Sequence, residues 1–185
     1  MSEDIKQKIK SFGNVLDKIP KIRYAGDPVL REATIETSLK EGVSIAEKLK
    51  EVLLKYREVT GWGRGLAAPQ IGENKSVFIT FVDNQVEIFI NPKIVEKSDK
   101  TSFYKELCMS AGIIAADVER PRWIVMEWID KDGVQRSEKF DGFNARLYQH
   151  EEAHLRGRLN LDDTAPGGIQ FVTFDPLKEQ LRDIR

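Results

Sequence analysis

Three residues in the sequence could together bind a metal ion through sulfur and nitrogen. The chain contains one cysteine, Cys108, and two histidines, His150 and His154. The histidines lie four residues apart, and residues i and i+4 of an α-helix share a face, so both imidazoles can reach one ion. The pattern His-Glu-x-x-His is typical of helices that hold a catalytic metal. Because two histidines leave such a site incomplete, a third ligand has to come from elsewhere in the chain.

Glu151, directly after the first histidine, is the candidate general base. It is offset by about 100° around the helix axis, so it need not ligate the ion. A bound ion can lower the pKa of water from about 15.7 to about 7, and a nearby carboxylate can then accept a proton and pass it to a leaving amine. Phe143 and Leu147 precede the histidines on the same stripe, which indicates that the histidines point inward. We therefore predict a metal-dependent hydrolytic site.

The third ligand has several candidates. A metzincin-like site requires histidine at position 160, which is Asn160 here. A thermolysin-like site requires a downstream Glu on a second helix, and near that distance we find Asp175, in a segment of weak helical character. Cys108 remains, although a lone cysteine is more often a small buried apolar residue than a ligand. Its role depends on the residues that flank it.

Hydrophobic periodicity places these residues on an α+β scaffold. Apolar residues at helical spacing predict helices over 2–18, 39–59 and 143–155, the last of which carries both histidines. The predicted strands are 77–82, 86–90, 91–95, 104–109, 123–128 and 134–140. The glycine-rich segment 61–65 is predicted to be a flexible loop. We expect mainly antiparallel sheets packed around the central helix that bears the His-Glu-x-x-His pattern.

The composition excludes several other classes of protein. Lys plus Arg number 29 and Asp plus Glu number 30, so no excess of positive charge is available for direct DNA binding. No apolar run approaches the roughly 18 residues of a membrane span, and the first residues lack the apolar core of a secretory signal. One cysteine cannot form an internal disulfide. We therefore expect a cytoplasmic protein that binds neither DNA nor a membrane.

Three segments resemble the sequence motifs of the peptide deformylase family, in the order and at separations compatible with that family. They are GRGLAAPQ at 63–70, similar to G-x-G-L-A-A-x-Q; ELCMS at 106–110, similar to E-G-C-L-S; and QHEEAHLRG at 149–157, similar to Q-H-E-x-D-H-L-x-G. One such motif would be weak evidence, whereas three in order are specific. The likeness covers roughly residues 20–165.

The resemblance implies a fold of the peptide deformylase type, a reaction and a metal. Deformylases remove the N-formyl group from formyl-methionyl chains of nascent proteins and release formate. Carried over by motif, the metal ligands are Cys108, His150 and His154. Fe²⁺ is the implied ion, one per chain, with Ni²⁺, Co²⁺ or Zn²⁺ as replacements, since all of these accept thiolate and imidazole ligands.

The resemblance also assigns roles to residues around the ion. Glu151 is the general base, and Gln70 together with the backbone N–H of Met109 stabilises the developing oxyanion. The glycine-rich segment is not a phosphate-binding loop, because no Lys-Ser/Thr follows it, and its glycines allow a peptide backbone to lie close to the chain. The residues expected to bind the substrate are Gly63, Arg64, Gly65 and Leu107.

Four positions depart from the family pattern. Leu107 replaces a Gly, Ala153 replaces an Asp, Arg64 occupies a usually apolar position, and Gly112 stands where a Pro commonly follows. None of these changes removes a ligand, the general base or Gln70. The departures therefore concern substrate fit and catalytic efficiency more than metal binding.

The resemblance also suggests a division of the chain and its partners. We predict an N-terminal helical extension over 1–19, a catalytic domain over 20–165 and a C-terminal tail over 166–185. The implied partners are an N-formylated peptide and, as a further candidate, the ribosome. Two alternatives stay open: a divergent metal amidase of the same fold that acts on another N-acyl amine, and a catalytically weakened homologue that only binds.

Overall fold

The structure, a computed structural model, describes residues 3–172 and 180–182. Within these residues the helices are α1 (Glu3–Lys18), α2 (Leu39–Thr60) and α3 (Gly142–Leu155). The strands are β1 (Gly65–Ala67), β2 (Val77–Val82), β3 (Gln85–Lys97), β4 (Thr101–Leu107), β5 (Ile114–Pro121), β6 (Trp123–Ile129), β7 (Gln135–Asp141) and β8 (Thr164–Phe171). No helix in the described part of the chain combines the length and apolar character needed to cross a bilayer.

The strands form two antiparallel sheets. The first has the order β1-β2-β3-β6-β7, and the second has the order β4-β5-β8. Helix α3, which bears the His-Glu-x-x-His pattern, contacts strands of both sheets. The predicted α+β class with mainly antiparallel sheets is confirmed.

Helix α2 begins and ends where its sequence requires. The Ser38 side chain caps the helix by accepting a hydrogen bond from the Glu41 N–H, and Gly61 ends it in the left-handed conformation with φ of 82°. Between these caps, Leu49 and Leu53 are fully buried in a core shared with Leu66 and other apolar residues of the first sheet. This packing fixes α2 against the first sheet, directly before the glycine-rich segment 61–65.

Helix α3 is fixed against the first sheet by aromatic side chains. Phe78 and Phe89 stack with ring centroids 4.4 Å apart, and Tyr148 of α3 lies 4.9 Å from the Phe89 ring. The Tyr148 hydroxyl donates to Glu87 at 2.9 Å. Aromatic pairs of this kind add about 0.5–1.5 kcal/mol beyond the burial of their area, so the helix has little freedom to slide.

Strands β4 and β5 form a hairpin whose connection carries the cysteine. Their register runs from Thr101 opposite Pro121 to Leu107 opposite Ala115. Cys108 follows β4 directly, and Gly112 completes the connection with φ of 63°. This positive φ suits glycine and is inaccessible to proline, which deformylases commonly carry at this position.

Several predicted boundaries are wrong in physically instructive ways. The strands predicted over 86–90 and 91–95 are one strand, β3, with a register shift between Ile90 and Lys93. The segment 61–65 is not wholly a loop, since Gly65 begins β1. The helices over 39–59 and 143–155 are confirmed to within one residue.

Strands β5 and β8 were not predicted. Asp117 and Arg120 occupy buried positions of β5, so polar residues interrupt its apolar pattern. The segment of β8 includes Pro166 and Gly168, which usually end strands, but β8 is an edge strand, where such residues are tolerated. Because β8 runs from Thr164 to Phe171, the predicted start of the tail at 166 lies inside a strand.

Candidate active site

The three residues with soft ligand atoms meet in the interior. One side-chain atom each of Cys108, His150 and His154 lies within 4.8 Å of the others, and all three residues are buried. The Cys108 sulfur is 3.3 Å from Nε2 of His154. The hairpin connection after β4 supplies the thiol, and one face of α3 supplies both imidazoles, as the i, i+4 spacing predicts.

Each imidazole is oriented by an oxygen on its far side. Nδ1 of His150 lies 2.9 Å from Oε2 of Glu106, and Nδ1 of His154 lies 3.0 Å from the carbonyl oxygen of Arg158. Since both partners accept, each Nδ1 carries the donated proton and each Nε2 is left for the cluster. This is the arrangement that fixes the tautomer of metal-binding histidines.

Glu106 is the centre of a buried ionic network. Its carboxylate accepts from Nε and Nη2 of Arg120 at 2.7 and 2.8 Å, and from Nη1 of Arg146 at 2.7 Å. Burial alone would raise the pKa of Glu106, but the charge and hydrogen bonds of Arg120 hold it well below its usual range. We assigned no role to Glu106 from sequence, although it is the first residue of the second motif.

The electrostatics of the cluster favour a bound cation. Burial would raise the pKa of the Cys108 thiol, but the charge of His154 and hydrogen bonds with both histidines lower it to about 5. Burial would lower the pKa of His150, whereas hydrogen bonds with Cys108 and Glu106 raise it to about 10. The thiolate belongs to the cluster and the Glu106 carboxylate lies behind His150, and one thiolate with two imidazoles is a suitable donor set for a divalent ion.

Glu151 lies beside the cluster with part of its carboxylate unsatisfied. Its Oε2 is buried and has no hydrogen-bond partner among the described residues. Burial raises the pKa of Glu151 to about 7, although the charges of His150 and His154 oppose the shift. The side chain lies against Gly65, where an added Cβ would come within 2.6 Å of the Glu151 Cδ. A glycine at 65 is therefore needed for this carboxylate to face the cleft.

Gln70 connects the first motif to the cluster. Its Oε1 accepts from the Ala67 N–H at 2.9 Å, which fixes the amide so that Nε2 points inward. Nε2 lies 3.5 Å from the Cys108 sulfur and 3.2 Å from Oγ of Ser110. The N–H groups of Gln70 therefore face the cluster, where they donate to Cys108 and Ser110.

An open cleft of about 690 Å³ leads to these groups. The lining includes every residue predicted to bind substrate or assist catalysis: Gly63, Arg64, Gly65, Gln70, Leu107, Met109 and Glu151. His150 also lines the cleft, whereas Cys108 and His154 lie behind the wall. The sequence-predicted residues are brought together, and their individual roles remain predictions.

The structure describes two of the three remaining positions that the sequence raised as ligand candidates or as departures from the family pattern. Asn160, at the position of a third metzincin histidine, is buried and donates to the carbonyl oxygen of Glu106 at 3.0 Å. Asp175 lies outside the described residues. Ala153, where the family carries Asp, is buried, and next to it Glu152 pairs with Arg156 at 2.7 Å across the last turn of α3.

The family model for polypeptide deformylase matches residues 19–168. The chain belongs to the peptide deformylase family. It is 35% identical to the peptide deformylase of Pseudothermotoga lettingae over 166 residues, which are 89% of this chain and 93% of that one. It is 38% identical to the peptide deformylase of Treponema pallidum strain Nichols over 144 residues, which are 76% of this chain and 85% of that one.

Solved deformylase structures have the same fold. The crystal structure of peptide deformylase from Thermotoga maritima aligns with a TM-score of 0.69 and 34% identity, over 78% of this chain and 97% of that one. The enzyme from Thermus thermophilus aligns with a TM-score of 0.71 and 31% identity, over 79% and 86%. Deformylases are metal-dependent hydrolases of N-formyl peptides, so the predicted family and enzyme class are confirmed.

Proposed function

We propose that this chain removes the N-formyl group from formyl-methionyl peptides of nascent proteins, with one ion held by Cys108, His150 and His154. One observation carries the proposal. The ligand atoms lie within 4.8 Å of one another, beside a buried carboxylate oxygen of Glu151 that has no hydrogen-bond partner in the described part of the chain, and Glu151 lines an open cleft. A structural histidine pair would need neither the thiolate nor the unpaired carboxylate.

The ion is proposed to be Fe²⁺, with Ni²⁺, Co²⁺ or Zn²⁺ as replacements. A thiolate and two imidazoles accept all four, so the donor set supports a divalent transition metal and the resemblance to deformylases supports iron. When bound, the ion supplies Lewis acidity, which polarises a carbonyl group and makes water more acidic.

Residues of the chain carry out the remaining steps, which are stabilisation of the oxyanion and proton transfer. Gln70 and the backbone N–H of Met109 donate to the formyl oxygen as it gains negative charge. Glu151 accepts the proton of the attacking water and returns it to the amide nitrogen as the C–N bond breaks, which releases formate and a free α-amino group. Because its pKa is raised to about 7, Glu151 can serve in both directions near neutral pH.

The setting of the reaction is part of the same proposal. The substrate is a newly made chain, so we place the protein in the cytoplasm, in reach of the ribosome. The catalytic domain is proposed to span 20–165, between an extension over 1–19 and a tail over 166–185, and the family match to 19–168 supports the first boundary.

Formate release tests the activity. Anaerobically purified protein should release formate from formyl-Met-Ala-Ser and should leave acetyl-Met-Ala-Ser unchanged. Turnover of the acetyl peptide alone would favour a different amidase of this fold, and turnover of neither would favour a homologue that only binds.

Metal content tests the ligand set. Cys108→Ser replaces a thiolate by a neutral and harder oxygen ligand, so elemental analysis should find a strongly reduced metal-to-protein ratio. Ser110→Ala, two residues further along the same connection, is the matched control and should keep its metal. Full occupancy in Cys108→Ser would remove Cys108 from the site.

A further inference from the structure

The wall of the cleft carries two arginines that form no ion pair with any described residue. The cationic residues in the lining are Arg57, Arg64, Lys105 and Arg146, and the acidic ones are Asp83, Glu106 and Glu151. Arg146 and Glu106 pair with each other at 2.7 Å. Within 3–172 and 180–182, by contrast, no carboxylate forms an ion pair with Arg57 or Arg64.

Both of these guanidinium groups lie over aromatic rings. Arg57 lies 4.3 Å from the Phe81 ring centroid, and Arg64 lies 4.4 Å from that of Phe143. Arg57 also donates to the carbonyl oxygen of Gly63 at 2.6 Å, so it supports the glycine-rich segment. For Arg64, the described residues provide no side-chain hydrogen-bond acceptor. A stacked guanidinium keeps its N–H edge open, and that edge matches a carboxylate.

The position of Arg64 is set by the same elements that set the reacting groups. Its carbonyl oxygen accepts from the Phe81 N–H at 2.7 Å, and the next residue, Gly65, lies against Glu151. Its side chain lies over Phe143, seven residues before His150 on α3. Seven residues correspond to about 10 Å along a helix, which an extended peptide covers in roughly three residues.

We propose that Arg64 recognises an acidic side chain at the second or third residue of the formyl-methionyl substrate. The inference rests on the proposed deformylase activity and adds a substrate preference to it. The planar guanidinium, preoriented on Phe143, forms paired hydrogen bonds with the carboxylate as the peptide lies along the cleft. Asp83, in the turn between β2 and β3, also lines the cleft, but the four cationic side chains of the lining outnumber its three carboxylates.

Matched peptides test this preference. The substrates are formyl-Met-Asp-Ala and formyl-Met-Ala-Asp, each compared with the peptide that carries Asn instead, and all have amidated C-termini so that no other carboxylate is present. At low ionic strength we expect kcat/KM to favour Asp over Asn by roughly twofold to fivefold for at least one of the two positions, as for a partly exposed ion pair. Added salt should reduce this ratio.

Two variants assign the preference to one residue. Arg64→Met should bring the Asp/Asn ratio to about one while formyl-Met-Asn-Ala is still turned over. Lys139→Met is the matched control, because Lys139 also lies over an aromatic ring, 4.1 Å from Trp123, but on β7 and away from the cleft lining. The control should keep the wild-type ratio. Equal values for Asp and Asn at both positions in the wild type, or an unchanged ratio in Arg64→Met, would overturn the proposal.

A binding measurement separates this inference from the reaction itself. If no formyl peptide is turned over, the proposed function fails. Calorimetric titration with the acetyl-Met-Asp-Ala and acetyl-Met-Asn-Ala amides then tests Arg64 alone. The Asp peptide should have the lower Kd, by the same factor as that expected for kcat/KM. Equal Kd values for the two acetyl peptides would overturn the role of Arg64 as well.

Discussion

The metal-binding side of the site and the wall of the cleft are built in different ways. On the metal-binding side each candidate ligand has a second buried or backbone partner: Gln70 for Cys108, Glu106 for His150 and the Arg158 carbonyl for His154. On the wall, Arg64 is held by a ring stack and Leu107 by strand pairing, and both side chains are partly exposed.

This difference accounts for two of the four departures from the family pattern, whereas Ala153 and Gly112 lie beside the metal ligands His154 and Cys108. Of the four departures, Arg64 and Leu107 lie on the cleft wall, where a new side chain needs only space. A change at the metal-binding side would leave a buried charge without its partner, which costs several kcal/mol. The same reasoning predicts that the effects of substitutions decline from the cluster to the wall.

The largest effect is expected at Glu151. Glu151→Ala removes the group that transfers the proton, so kcat should fall by about 10² to 10⁴ while the metal is retained. Glu152→Ala is the neighbouring control, because that carboxylate pairs with Arg156 at the end of the helix. Near-wild-type turnover in Glu151→Ala would refute the proposed mechanism, whatever its metal content.

A substitution at Glu106 tests how much the buried ionic network behind the metal ligands contributes to the stability of the fold. Glu106→Gln leaves Arg146 buried without a compensating charge and leaves Arg120 with only the more distant Asp163, at 3.7 Å, so urea unfolding should show a loss of about 3–5 kcal/mol. Glu119→Gln, on the exposed face of β5, should change stability by less than about 0.5 kcal/mol. A loss below about 1 kcal/mol in Glu106→Gln would mean that the network contributes little to stability.

Gly65 lies between the metal-binding side of the site and the wall of the cleft. Gly65→Ala forces Glu151 to move, because the new Cβ would approach its carboxylate, and a displacement of about 1 Å can cost roughly 10² in rate. The control is Gly13→Ala in α1, where an added Cβ meets nothing within 4 Å. If steady-state kinetics show the same kcat for Gly65→Ala and wild type, Glu151 does not need this contact.

The smallest effect is expected at Leu107. Its side chain lines the cleft where deformylases carry Gly, so Leu107→Gly should lower KM or raise kcat/KM for short formyl-Met peptides at unchanged metal content. We expect an increase of at least about fivefold, which corresponds to roughly 1 kcal/mol. A smaller change would indicate that Leu107 only fills space beside the cleft.

The sequence predicts the helices and the histidine pair because both depend on local spacing, whereas Cys108 is assigned only through the resemblance of its motif. The stripe that ends in His150 and His154 determines one helical face, and that face is the one that meets Cys108. Strand β5 could not be predicted from spacing, because its polar residues Asp117 and Arg120 are buried. Their ionic partners, Arg182 and Glu106, are distant in sequence.

The buried network around Glu106 could not be predicted for the same reason. Arg146 lies 40 residues from Glu106 and Arg120 lies 14, and no spacing rule connects them. The available signal is weak: Glu106 opens the second motif, two residues before the cysteine. Ionic partners on two strands of one sheet and a helix become visible only when the fold brings them together.

In the hairpin of β4 and β5, a change in the number of residues would disturb the site more than most substitutions would. Glu106 is buried and pairs with His150, whereas the next residue, Leu107, is partly exposed, because successive side chains of a strand point to opposite faces. A slip of one residue in a strand exchanges its two faces. The connection 108–113 sets this register and also carries the cysteine. An insertion or deletion there would turn Glu106 away from His150 and displace the sulfur in a single event, whereas most substitutions would leave both in place.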